Sequence, residues 1–179
     1  PGWKTYWRSP GDSGLPPSFF WAGSENLADV TFHWPAPEAI RSGDSLTMGY
    51  HDRLVLPFTA RPKDATQPMQ LSASMEFGLC ENICVPALVE MSADAPQSDR
   101  DKAITAALED VPAQSSQKLT CSTEEIEDGI RVSVNLPSKD VQLAAMELKG
   151  QPEIWVSGTE IAQDGDQTLA ISASVSARY

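Results

Sequence analysis

One uninterrupted alternation of apolar and polar residues, at positions 69–77, constrains the fold of this chain more than any other feature. Side chains in a β-strand point to opposite faces in turn, so the pattern predicts a strand with one buried and one solvated face. Gly78 is predicted to end this strand, and a tight reversal carrying Cys80 and Cys84 follows it. The extended pattern resumes at 85–91, which predicts an antiparallel neighbour.

Other alternating segments predict further strands, separated by turns rich in proline and glycine; they lie at 27–34, 50–60, 130–136, 154–156 and 169–175. Pro57 falls inside one of them and indicates an edge or a bulge, because proline cannot donate to a ladder. No helical pattern separates the first strands. The chain is therefore predicted to be all-β, with an antiparallel β-sandwich in its first half.

Residues 98–110 predict a short helix that Ser98 or Asp99 can cap and whose apolar stripe packs against the protein. Pro112 ends it. We therefore expect a first β-domain at 1–96, a helical linker at 97–112 and a second small β-domain at 113–179, which we expect to be truncated. The span 141–149 fits helix or strand. Both ends look cut, so we expect an excised soluble fragment.

Composition excludes several classes of function. The 179 residues carry a formal net charge of −12, which repels nucleic acid and anionic membrane surfaces. A hydrophobic fraction of 41% is typical of a globular chain. No apolar run is long enough to cross a bilayer.

The spacing of Cys80 and Cys84 points to redox chemistry. Three residues separate them, and a disulfide that closes so small a loop is a weak staple, because the stabilisation grows with loop length. A dithiol that opens and closes is therefore the favoured interpretation. An inert structural bridge and a metal site remain open as alternatives.

Metal binding has weaker support. A structural zinc site needs four ligands, and the remaining candidates are scattered singly; they are Cys121, His33 and His51. Copper(I) suits thiolates and thioethers, and Met75 and Met91 flank the cysteine pair, although a methionine on an apolar strand face usually fills a core. No metal or cofactor is assigned. Cys121 is expected to be a free, partly buried thiol.

Three stretches resemble a known family. The run GYHDRLVLPFTA (49–60), the following strand and the Cys80/Cys84 pair with Pro86 are similar to the N-terminal periplasmic domain of DsbD. The opening PGWKTYWRSPGDSGLPP resembles the DsbD and ScsB group of protein-disulfide reductases. The resemblance implies an immunoglobulin-like domain in the periplasm, belonging to a protein anchored in the inner membrane.

The resemblance also implies a path for electrons. A thioredoxin-like domain donates them, and oxidised periplasmic proteins receive them. Cys84 matches the cysteine that forms the mixed disulfide with partners, and Cys80 matches the resolving thiol. ScsB-like members have a longer N-terminal region linked to copper tolerance, which fits the second β-domain.

Two departures from the DsbD pattern stand out. Five residues separate the DsbD cysteines, so the ring here is tighter, and strain would raise its reduction potential. The region that matches the aromatic cap loop of DsbD, 41–47, contains no aromatic residue. We expect a differently built cap or a more exposed pair.

The neighbours of the pair in sequence are acidic. Glu76 and Glu81 disfavour a thiolate, and no Lys, Arg or His is adjacent, so the thiol is predicted not to be strongly acidified. Residues 81–83 would form the contact tip or simply a solvated turn. Two other functions remain open: a copper-binding or copper-protective module, and an interaction domain with an inert disulfide.

Overall fold

The computed structural model describes residues 2–43, 45–94, 101–141, 143–151 and 154–175. These residues form antiparallel β-structure with one short helix, so the predicted all-β class is confirmed. The elements are β1 (Lys4–Gly11), β2 (Ser18–Phe20), β3 (Leu27–Phe32), β4 (Glu38–Ser42), β5 (Ser45–His51), β6 (Phe58–Pro62), β7 (Gln70–Cys80), β8 (Cys84–Asp94), α1 (Lys102–Glu109), β9 (Cys121–Ile126), β10 (Gly129–Leu136), β11 (Trp155–Val156), β12 (Glu160–Asp164) and β13 (Gln167–Val175).

The chain divides into two compact units. Unit 1 comprises Pro1–Trp7, Leu15–Glu38 and Gly49–Gln114, and unit 2 comprises Arg8–Gly14, Ala39–Met48 and Ser115–Tyr179. Strands β1 and β5 therefore contribute residues to both units. Two short segments from the first fifty residues group with the C-terminal part of the chain. The predicted domain ranges, which follow the order of the chain, stay a prediction.

Strand β7 organises unit 1. Strand β8 pairs with it along its whole length, from Gln70 opposite Asp94 to Cys80 opposite Cys84. The other edge of β7 pairs with β2, where Phe19 lies opposite Met75, and with β1. The strand predicted from the alternation is thus confirmed, and it continues through Gly78 as far as Cys80.

A second, two-stranded sheet of β3 and β6 completes the sandwich of unit 1. Aromatic rings join the two layers: the Phe19 and Phe32 centroids are 4.3 Å apart, and Trp21 and Phe58 are 5.3 Å apart. Such ring pairs stabilise a core by about 0.5–1.5 kcal/mol beyond their buried area. The aromatic residues near the N-terminus therefore act mainly as core anchors.

Unit 2 contains a five-stranded antiparallel sheet in which β13 is central, between β10 on one side and β11 and β12 on the other. Its predicted strand at 169–175 is confirmed. The better-buried face of β13, however, carries small and polar residues, namely Thr168, Ala170, Ser172 and Ser174. The Ser172 hydroxyl remains satisfied there, because it lies 2.7 Å from the Thr159 hydroxyl.

The predicted strand at 50–60 is wrong in its middle. Strand β5 ends at His51, residues 52–57 are irregular, and β6 begins only at Phe58. Asp52 has a φ of 57°, which turns the chain out of the ladder, and Pro57 lacks the N–H that a central ladder position needs. Alternation alone could not reveal this interruption. The span 141–149, predicted as helix or strand, forms neither where it is described.

The predicted helix is present but shorter and less buried than expected. Asp101 caps α1, and its side chain accepts a hydrogen bond from the Ala103 N–H at 2.8 Å. The predicted caps, Ser98 and Asp99, lie outside the described residues. No residue of α1 is buried, and Ile104 is 38% exposed. Of the predicted stripe, Ala107, Leu108 and Val111 are half-buried and Ile104 is exposed, so the expected packing is observed only in part.

Candidate functional site

The disulfide between Cys80 and Cys84 closes the β7–β8 hairpin. The two residues are paired directly across the ladder, and their Cα atoms are 4.0 Å apart. Three residues, 81–83, form the turn, in which the Glu81 N–H donates to the Ile83 carbonyl at 3.1 Å. The bridge therefore joins residues that the hairpin already holds together, and it adds little to the stability of the sandwich.

The two sulfur-bearing residues differ sharply in exposure. Cys80 is 1% exposed, whereas Cys84 is exposed and is followed by Val85, which is 43% exposed. At the turn, Ile83 is 71% exposed. A visiting protein can therefore reach Cys84 but not Cys80.

Tyr6 is a site residue that the sequence did not reveal. Its hydroxyl lies 3.5 Å from the Cys84 Sγ, and its side chain is 4% exposed. Because a disulfide sulfur carries no proton, the hydroxyl donates. Gly78 lies next to the ring: a Cβ there would be in ordinary van der Waals contact, 3.5 Å from a Tyr6 ring carbon and 3.8 Å from the Cys80 Sγ. Burial raises the pKa of Tyr6, which keeps the phenol protonated and able to donate.

Lys4 is the second neighbour that folding supplies. It pairs directly with Cys80 across β1 and β7, so the two side chains lie on the same face of the sheet. No basic residue is adjacent to the pair in sequence, but the ladder places Lys4 directly opposite Cys80. Glu76 and Glu81 are both exposed to solvent, which weakens their opposition to a thiolate.

The sheet separates the cysteines from the methionines proposed as copper ligands. Met75 lies opposite Val89, and Met91 lies opposite Ala73. Both methionines occupy odd-numbered positions of the hairpin, whereas the cysteines occupy even-numbered ones, so the two sets point to opposite faces. Within the described ranges, no cluster of three or more His, Cys, Asp or Glu side chains could hold a metal ion.

Cys121 is exposed, so the expectation of a partly buried thiol is wrong. It begins β9, the outermost strand of its sheet, in which every residue from Cys121 to Glu125 is exposed. His33 lies near the expected polar position, with its Nε2 2.7 Å from the Thr59 hydroxyl. His51 instead pairs with Glu38 at 2.8 Å. Of the three residues considered as zinc ligands, the two histidines therefore have other partners, and the cysteine is a free thiol.

The segment that matches the aromatic cap loop forms ordinary β-structure. Residues 41–47 end β4 and begin β5, and they belong to unit 2. Asp44 lies outside the described residues. This segment contains no aromatic side chain that could cover the disulfide. Cys84 is exposed, which agrees with the expectation of a more exposed pair.

A sandwich that carries a solvent-facing cysteine bonded to a buried one in a hairpin has the arrangement expected of a thiol–disulfide exchange domain. The family described as thiol:disulfide interchange protein DsbD, N-terminal, matches residues 1–96, and the chain belongs to this family. The suspected membership and the immunoglobulin-like fold are thereby confirmed.

The fold is also similar to the crystal structure of the N-terminal periplasmic domain of ScsB from Proteus mirabilis. The two share 22% sequence identity with a TM-score of 0.67, over 99% of this chain and 71% of that one. No curated protein sequence matches the chain. In the part of the chain that is described, no helix has the length and apolar character that a membrane crossing requires.

Proposed function

We propose that this chain is a periplasmic relay that takes two electrons from a thioredoxin-like domain and passes them, through Cys84 and Cys80, to oxidised proteins. The observation that carries the proposal is the asymmetry of the hairpin disulfide, in which one sulfur faces solvent and the other is buried. Membership of the DsbD family and the likeness to a periplasmic ScsB domain support the choice of compartment and donor. The complete protein would be anchored in the inner membrane.

Loading the relay requires one disulfide exchange followed by a second. A donor thiolate attacks the Cys84 sulfur, a bond forms between them, and Cys80 leaves as a thiolate that takes up a proton. The donor's second thiolate then attacks its own bridged sulfur and releases Cys84. The donor ends oxidised and the relay reduced by two electrons.

Delivery runs the same chemistry in the opposite direction. The Cys84 thiolate attacks a substrate disulfide and forms a mixed disulfide, and one substrate sulfur leaves. The Cys80 thiolate then attacks the Cys84 sulfur, which restores the Cys80–Cys84 bond and frees the second substrate thiol. Cys80 suits this role because it lies directly across the ladder from Cys84 and is shielded from other thiols.

Tyr6 and Lys4 support the two sulfurs from the body of the sandwich. The Tyr6 hydroxyl donates toward Cys84 and stabilises it as a thiolate when it leaves or attacks. The Lys4 ammonium, on the same face as Cys80, favours the charged form of the buried leaving group. The expectation that Cys84 is not strongly acidified stays a prediction, since exposed Glu81 opposes both.

A trapping experiment tests the proposed roles. In a Cys121→Ser background, the Cys80→Ser variant is first converted to its mixed disulfide with 5-thio-2-nitrobenzoate. A thioredoxin-like donor whose own resolving cysteine is replaced by serine should then attack the Cys84 sulfur, release 5-thio-2-nitrobenzoate and accumulate as a mixed disulfide with the chain. Cys84→Ser, the matched control, should accumulate none. Trapping through Cys80 instead, or equal trapping by both variants, would overturn the assignment.

An inert bridge gives a different result in the same system. If the Cys80–Cys84 disulfide serves only an interaction domain, a reduced thioredoxin-like donor should fail to open it under conditions that reduce a small-molecule disulfide. We expect rapid reduction, followed on the chain by labelling of the newly formed thiols.

A further inference from the structure

Strand β8 leaves one edge without a partner immediately beside the disulfide. Among the described residues, β8 pairs with β7 and with no other strand. It is eleven residues long, and most of its side chains are exposed, including Leu88 at 63% and Met91 at 52%. Proteins usually shorten, charge or cover such an edge, because it can pair with another chain.

The main-chain groups of Cys84 point toward this open edge. On β7, Gln70 exchanges both of its main-chain hydrogen bonds with Glu25, on the side away from β8. Ser72 likewise bonds through its N–H to the Ser24 hydroxyl on that side. The β7–β8 register then continues without a shift to Cys80 and Cys84. All even-numbered pairs are therefore of the non-hydrogen-bonded kind, which leaves the N–H and C=O of Cys84 free of β7.

Two further observations agree with this orientation. The Cα atoms of Cys80 and Cys84 are 4.0 Å apart, close to the ~4.5 Å expected of a non-hydrogen-bonded pair and far from the ~5.5 Å of the other kind. Pro86, at the next even position, is tolerated because its missing N–H falls on the open edge.

We propose that the substrate docks as an extended segment that adds to β8 as an antiparallel strand, with its own cysteine directly opposite Cys84. This inference rests on the proposed function and names the substrate class for the same site. A residue opposite Cys84 would form a hydrogen-bonded pair with it, at a Cα separation of ~5.5 Å. That separation is the one most often found between disulfide-bonded cysteines.

The arrangement also aligns the three sulfurs for exchange. The Cys80–Cys84 bond crosses from β7 to β8, so a sulfur on a strand added beyond β8 approaches Cys84 from the side opposite Cys80. Displacement at sulfur requires this in-line approach. The substrate sulfur, Cys84 and Cys80 then lie on three neighbouring strands, and each bond that forms is opposite the bond that breaks.

The side chains of β8 define the chemistry of the segment. The face shared with Cys84 carries Glu90 and Asp94, whereas the other face is apolar and includes Val85 and Met91. A complementary segment therefore alternates basic and apolar residues around its cysteine. Basic character also complements the formal net charge of −12 on the chain.

A peptide with selectively methylated main-chain nitrogens tests this docking. The protein is the reduced Cys80→Ser, Cys121→Ser variant, in which Cys84 is the remaining cysteine. The peptide carries its cysteine as a mixed disulfide with 5-thio-2-nitrobenzoate, and the Cys84 thiolate attacks the peptide sulfur and releases the coloured thiolate. N-methyl groups are placed two and four residues before the peptide cysteine, facing Pro86 and Leu88. The matched control carries them one and three residues before it, facing away.

We expect the inward methyl groups to slow the reaction at least tenfold relative to the outward ones. Equal rates would overturn the strand docking but leave the proposed function intact, because Cys84 would still have reacted. Failure of Cys84 to react with either peptide would overturn both. A further outcome would also overturn the proposal. If the chain sediments as a dimer and dimer dissociation limits the rate of the reaction with the peptide, the edge of β8 binds a second copy of the chain.

A charge exchange checks the register. Two peptides are compared, one with lysine and one with glutamate six residues before the cysteine, a position that faces Glu90. We expect the lysine peptide to react faster with the parent protein. Glu90→Lys should remove most of this difference in rate by slowing the lysine peptide and accelerating the glutamate peptide. Glu109→Lys, a change of the same charge at an exposed position of α1, is the control. Identical responses to both substitutions would contradict the register.

Discussion

Replacing Tyr6 with phenylalanine isolates the hydrogen bond to the exchange sulfur. The ring is retained, so its packing beside Gly78 is kept, and only the hydroxyl that lies 3.5 Å from the Cys84 Sγ is lost. A hydrogen bond to a charged group contributes about 1.5 kcal/mol at the lower end of its range. One pKa unit corresponds to about 1.36 kcal/mol, so Tyr6→Phe should raise the pKa of the Cys84 thiol by about one unit.

The same shift predicts the effect on rate. At a pH below the thiol pKa, one unit reduces the thiolate fraction about tenfold, while the more basic thiolate is about threefold more nucleophilic, given a Brønsted coefficient of about 0.45. The net exchange rate at neutral pH should therefore fall about threefold. At a pH above the thiol pKa of both proteins, the variant should instead react about threefold faster than its parent.

The assay is the pH dependence of alkylation by iodoacetamide in the Cys80→Ser, Cys121→Ser background. Tyr50→Phe is the matched control, because the Tyr50 hydroxyl is also buried but donates to the Pro35 carbonyl at 2.8 Å. An unchanged midpoint in Tyr6→Phe, or an equal shift in Tyr50→Phe, would refute the reasoning. A Cys84 thiolate already formed near pH 5 in the parent would refute the expected weak acidification.

Three further predictions concern both units. Gly158→Ala should destabilise unit 2 by about 1–3 kcal/mol in urea unfolding, because the new Cβ would lie 2.8 Å from the Asp12 carboxylate that binds the Gly158 N–H; an unchanged midpoint would contradict this. Cys121 should be the one thiol that reacts in the native oxidised chain, with three reacting after reduction and unfolding; no reaction before reduction would contradict its exposure. Because burial raises the pKa of Tyr6 above 10.0, this tyrosine stabilises the fold fully below pH 10 and loses that contribution as the pH rises through its folded pKa. In Tyr6→Phe, the free energy of unfolding, measured by urea unfolding, should therefore fall less steeply above pH 10 than in the parent.

The hairpin was predictable because its information is local. The alternation at 69–77 specifies which side chains share a face, and a reversal after it must bring Cys80 and Cys84 together. The interruption at 52–57 was not predictable in the same way, since its residues continue the apolar pattern. The residue that turns the chain there is Asp52, whose positive φ the alternation does not encode.

The surroundings of the sulfurs depend on contacts between distant parts of the chain. Tyr6 and Cys84 are 78 positions apart, so no local pattern could indicate that a hydroxyl would point at the reactive sulfur. Lys4 reaches Cys80 only because β1 pairs with the end of β7. In the sequence, the charged residues nearest to the two cysteines are both acidic, Glu76 and Glu81.

The sequence by itself determined the strands and the covalent chemistry of the hairpin, because both depend on residues a few positions apart. Only the tertiary structure decided that Cys80 is buried and paired with Lys4, that Cys84 faces solvent and that a phenol lies beside the Cys84 sulfur. The burial of one cysteine and the access of a partner to the other depend on which strands become neighbours. The packing of the whole sandwich determines those neighbours.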